Sequence, residues 1–179
     1  MALKTINVPI GPAKVEFGDS TPTIFDVTKG GVVFSVSSTK QDITIDQYGD
    51  TPVKSIFKGR TAQVTVPMAE YDLKKLSVVT PNSKFGEDVV DPEKPLHKLE
   101  VYANAGDDLT STAKKLVIKP TAKGTSENDW VTIPLAAPMA DIEYTYNSDN
   151  ERIANVTFVA YPDEKGLLYF MGDSLVTIS

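Results

Sequence analysis

The chain has 179 residues, 41% of them hydrophobic, with 24 acidic against 18 basic side chains and a net charge of −6. That suits a single domain with a sizeable core, leaves no apolar run near the roughly 20 residues that span a bilayer, and argues against tight binding of nucleic-acid phosphates. The absence of cysteine removes disulfides, thiolate nucleophiles and cysteine-ligated metals together.

From the start, residues 1–12 lack the charged opening and long apolar stretch of a secretory signal. They read as an N-terminal arm on a protein made in a cytoplasm. The dominant hydrophobic period is then two, the strand signature. Ala13, Val15 and Phe17 alternate with Lys14 and Glu16, and Val32, Phe34 and Val36 with Ser35 and Ser37. Ile43 and Ile45 alternate with Asp42, Thr44 and Asp46. Gln47 to Pro52 is turn chemistry. In Val53 to Lys58 neither face is cleanly apolar, which fits a strand whose second face meets a channel or another subunit. Gly59-Arg60 is expected to be a tight hairpin turn, followed by a strand with Ala62, Val64 and Val66 on one face.

One helix is expected after Pro67, where Ala69, Leu73 and Leu76 form an apolar stripe, with acidic residues first and Lys74 and Lys75 last. Residues 82–98, with Gly86, Pro92 and Pro95, read as a long loop. So do 119–129. Loops of that length in a compact domain usually bind something or are disordered. Strands resume around Leu99 to Ala103, Leu116 to Ile118, Val131 to Leu135 and Ala154 to Ala160, with a short apolar run at Leu167 to Phe170. The expected architecture is a mainly β, two-layer fold, sandwich or barrel, with one flanking α-helix and long loops. Residues 1–179 form one domain on this reading.

Catalytic signals are thin. The single histidine, His97, lies in the expected loop among lysines, away from any nucleophile and orienting carboxylate of a triad. Gly172-Asp173-Ser174-Leu175 spells the GDSL string of a lipase and esterase family, but it lies at the C-terminal end with no histidine after it. A turn between two terminal strands explains it better. Asn155-Val156-Thr157 is a glycosylation sequon by chance inside a strand, and Asp107-Asp108 and Asp149 with Glu151 lack calcium-loop spacing. No catalytic residue, metal site or cofactor is expected.

The stretch GGVVFSVSSTKQDITIDQYGDTPVKSIFKGRTAQVTVPMAEYDLKKL, Gly30 to Leu76, carries the one informative match. Its order of D-x-x-x-D-Q-x-G-D-T-P-V, a G-R pair, V-T-V-P and A-E-x-D-L resembles the tail tube proteins (major tail proteins) of siphophages and related long-tailed bacteriophages. VTFVAYPDEKGLLYFMGD, Val156 to Asp173, resembles the ending of that family. The resemblance implies a non-enzymatic virion protein with a β-sandwich or barrel-like tail tube fold. Six copies would form a ring, and stacked rings a hollow tube that conducts DNA at ejection without binding it specifically.

Implied partners are further copies of the chain, a tape measure protein, a tail terminator and baseplate proteins, with no membrane. Assembly would take place in the host cytoplasm. Asp42, Asp46, Asp50, Gln63 and Thr65 are the expected channel residues, and Phe85, Asp88, Asp91 and Lys94 of the long loop are the expected contacts between rings. The alternatives are another tail component of the same fold, such as a distal tail or tail-completion protein, or a carbohydrate-binding β-sandwich. A hydrolase is the remote third.

Overall fold

A computed structural model describes residues 10–146, 149 and 151–177. The expected N-terminal arm lies outside the described residues as far as position 9. In chain order the elements are β1 (Ala13–Phe17), β2 (Thr23–Phe25), β3 (Val33–Ile43), β4 (Lys54–Met68), α1 (Leu73–Val79), β5 (Ser83–Asp88), β6 (Leu96–Val101), β7 (Lys114–Pro120), β8 (Val131–Glu143), β9 (Ile153–Tyr161) and β10 (Phe170–Met171). The fold is mainly β and sandwich-like with one helix, as the alternating patterns predict.

One antiparallel sheet runs β2-β1-β7-β8-β9-β4-β3, with β10 on β8. It bends back on itself at β8. The first part of β8 pairs with β7 as far as Ala136, and the part from Leu135 onward pairs with β9. The two halves thus face each other across a core of Val15, Phe17 and Phe25 against Val64, Val66, Val156 and Phe158. Just beyond β2, Thr28 bridges to Met68 of β4, closing the layers at that end. Aromatic rings lock the junction: Phe158 lies 5.0 Å from Phe17 and 6.1 Å from Phe25, both tilted contacts of the kind that aromatic quadrupoles favour.

Three expectations change. The helix starts at Leu73 instead of directly after Pro67, because Pro67 and Met68 finish β4 and Asp72 supplies the cap. Its carboxylate accepts from the backbone N–H of Lys74 and of Lys75, at 2.8 and 3.2 Å, satisfying donors that a helix start leaves orphaned. Gly59-Arg60 is not a turn. β4 runs straight through it, and the pairing steps from Thr39↔Gly59 to Lys40↔Phe57, leaving Lys58 as the extra residue of a bulge. The segment 82–98 is a β-hairpin rather than a loop, with β5 and β6 paired from Ser83↔Val101 to Asp88↔Leu96 and the two prolines in its turn. This hairpin packs on α1 and forms its own two-stranded sheet.

Candidate assembly surfaces

β3 and β4 form one long hairpin with a sharp change of environment along it. From Ala62 to Met68 the side chains of β4 alternate between buried and accessible, and β9 flanks them from Gln63 onward. From Lys54 to Thr61 only β3 flanks β4, and neither face is buried. This outer half is an arm on the order of 25 Å long at the usual strand rise. Its turn, 44–53, holds a short 3-10 helix at Asp46–Tyr48 that ends on Gly49 with φ 59°, a left-handed geometry natural to glycine. Ile45, Tyr48 and Val53 are exposed there.

The five expected channel residues do not share one surface. Asp42 is on the arm, on the face that continues the core side of the hairpin. It accepts from Lys40 at 3.0 Å and from the Ser55 hydroxyl. The Ser55 hydrogen bond first, then Lys40, holds its carboxyl below the ordinary 3.8. Asp46 and Asp50 stand in the tip, both exposed. Gln63 and Thr65 point to the opposite face, since Ala62, Val64 and Val66 between and beside them are buried. That opposite face spans β3, β4, β9 and the far part of β8, with Ser35, Ser37, Thr157, Asn155 and Met139 in register beside Gln63 and Thr65. No charge stands beside Gln63 and Thr65 on it; Asp141 and Glu143 lie at one end and Lys54 at the far end of the arm. β3 has a strand partner on only one side for its full length.

Of the expected contacts between rings, Phe85 turns inward. Its ring lies 5.5 Å from His97 and is half-buried. His97 in turn reaches Glu87 at 3.2 Å. Asp88, Asp91 and Lys94 stay exposed at the hairpin's end, where Asp91 accepts from the backbone of Glu93 and Lys94. The apolar residues at this end, Val89, Val90 and Leu96, are exposed; the first two form the weak apolar centre of the expected loop.

No protein-family model matches this chain, and no curated protein does. Among solved structures, it is similar to a chain in the six-fold symmetrised cryo-EM structure of the anti-feeding prophage baseplate. That likeness covers 97% of this chain and 100% of the other, at 11% identity and a TM-score of 0.44, too distant to bear on function.

A second unforeseen cluster lies at the end of the sheet remote from the arm. Tyr71, just before α1, stacks 6.2 Å from Tyr144, and Tyr144 lies 6.5 Å from Tyr146. The Arg152 guanidinium sits 4.4 Å from the Tyr146 ring and 6.0 Å from that of Tyr71. Burial, then the neighbouring Tyr71 and Tyr146, pushes the Tyr144 phenol above its ordinary 10.0. Only the Y-x-Y spacing of 144 and 146 hinted at it, and nothing linked Tyr71 or Arg152 to that pair.

The other motifs resolve into structure. Gly172-Asp173-Ser174-Leu175 is a turn in which Gly172 N–H donates to the Trp130 carbonyl and Asp173 accepts from the Leu175 amide. Trp130, the residue that a sugar platform would present, is half-buried and covered by Lys119 at 4.1 Å. Among the described residues, no three acidic or histidine side chains converge as a metal site.

Proposed function

We propose that this chain is a structural subunit of a long-tailed bacteriophage tail, the tail tube protein, assembling six to a ring in rings that stack into a DNA-conducting tube. The observation that carries this reading is the two-stranded arm of β3 and β4, exposed on both faces, with the outer edge of β3 unpaired. An isolated two-stranded hairpin is marginally stable in water, and a long open edge invites further pairing. Both features make sense for a subunit completed by its neighbours.

In the ring, the β3 edge of one copy pairs with the far part of β8 in the next, a head-to-tail contact that closes by rotation. Beyond Ala136, β8 pairs with β9 alone among the strands. The face holding Gln63 and Thr65 then lines the channel, where a wall with no cation beside these two residues lets DNA slide. The tape measure protein, tail terminator and baseplate proteins are the expected partners in the virion, and assembly takes place in the host cytoplasm.

The test is negative-stain electron microscopy with sedimentation of the purified chain. Hexameric rings, or tubes roughly 100 Å wide for domains of this size, are expected. A chain that stays monomeric at high concentration across salt conditions rejects the reading.

A further inference from the structure

The Tyr71, Tyr144, Tyr146 and Arg152 cluster has the composition of an interaction hot spot: tyrosines and arginine held in mutual contact. Tyr71 is 59% exposed and Tyr146 72%. Glu151 is matched by Lys29 and Glu70 by Lys75, and the Asp72 carboxylate is engaged in capping α1. By strand alternation Glu143 points to the other face of the sheet from Tyr144. The patch therefore offers phenol hydroxyls, aromatic faces and a guanidinium fork together. Its natural complement is a carboxylate beside an apolar or aromatic side chain.

The arm tip has that chemistry. From Gln41 to Val53 it carries Asp42, Asp46 and Asp50 and no basic residue, and Ile45, Tyr48 and Val53 are exposed among them. The tip and the patch lie at opposite ends of one strand. β4 leaves the tip at Lys54 and ends at Met68, beside Tyr71. Its fifteen residues separate the two sites by roughly 45–50 Å at the usual rise, so the tip cannot reach the patch of its own chain. We propose that the patch receives the arm tip of a second copy, with Arg152 and the tyrosine hydroxyls binding Asp46 or Asp50 and the rings packing on Tyr48. This deepens the stacking reading and rests on it: a contact between opposite ends repeats in one direction along an axis.

The natural absence of cysteine allows a clean test. Thr51→Cys in the tip and Thr145→Cys beside the patch, both at exposed positions, are made in separate full-length chains, mixed and oxidised. A hetero-crosslinked dimer in clear excess over like-like dimers is expected. Arg152→Glu in the Thr145→Cys chain should cut its rate by about tenfold, as loss of a hot-spot residue does. Asp46→Arg with Asp50→Arg in the other chain should restore it. Like-like dimers in equal yield, or an unchanged rate with Arg152→Glu, overturn the proposal whether or not rings form. Sedimentation of the wild type, run alongside, separates the two readings: a selective crosslink without hexamers keeps this contact and rejects the ring.

Discussion

Phe158 is held from two sides, by Phe17 of β1 and Phe25 of β2, and is fully buried. Because those partners come from the opposing layer, the ring reports how firmly the two halves of the bent sheet are clamped. Phe158→Ala removes both contacts and leaves a cavity that β-strands collapse into only partly. A loss of about 3–5 kcal/mol in urea unfolding is expected, a large share of the stability of an ordinary domain. Glu16 makes a subtler test. Burial pushes its carboxyl up, but hydrogen bonds and charges from Lys119 and Lys14, at 2.6 and 3.1 Å, hold it below the ordinary 4.5. A depressed carboxylate contributes stability above its unfolded value and loses it as pH falls through the folded one. Glu16→Gln should therefore cost about 1 kcal/mol at neutral pH, and the gap from wild type should narrow as pH falls below 4.5. A gap that is constant with pH would mean that packing, not charge, carries the effect.

Among the elements, α1 depends most visibly on one side chain. Seven residues are too few for a helix to hold by propensity, so it rests on the burial of Leu76 and Val79 and on the Asp72 cap. Asp72→Ala should cost about 1 kcal/mol, measured by denaturant unfolding, and Asp72→Asn should recover most of it. The position of this cap was legible in the sequence only in hindsight, since the apolar stripe counts Ala69, which lies between the end of β4 and the cap. The half-buried strands were plain, because burial of one face imposes alternation in β1, in β4 from Ala62 onward and in β9. The bulge at Gly59 was misread because a tight turn and a bulge call for the same residue. The β5–β6 hairpin was hidden because two prolines and a glycine read as loop, and charges on both of its faces break any apolar alternation. Of the candidate surfaces, the two-faced arm could be read ahead, since neither side of Val53 to Lys58 is apolar. The tyrosine and arginine cluster could not, as Tyr71 lies more than seventy residues from Tyr144, Tyr146 and Arg152 and meets them only through the topology.

At the scale of the whole molecule, the separation of Asp42 from Gln63 and Thr65 changes where charge should matter. Asp42 is engaged by Lys40 and Ser55 on the arm, so its replacement disturbs local pairing as well as any field. Gln63 is exposed and uncharged, and lies in the uncharged middle of the face that the proposed ring turns inward. A lysine there adds six positive charges per ring of six without touching the core. Such rows of cations attract phosphates through counterion release, an effect that weakens steeply with salt. Gln63→Lys should thus leave assembly intact and give tubes that retain short duplex DNA at low salt and release it at high salt, read by fluorescence anisotropy. Lys115→Arg, a charge-conserving change on the other layer, should leave retention unchanged. DNA retained no better by Gln63→Lys tubes than by the wild type would mean that this face does not line the channel, and would direct attention to the arm's own faces instead.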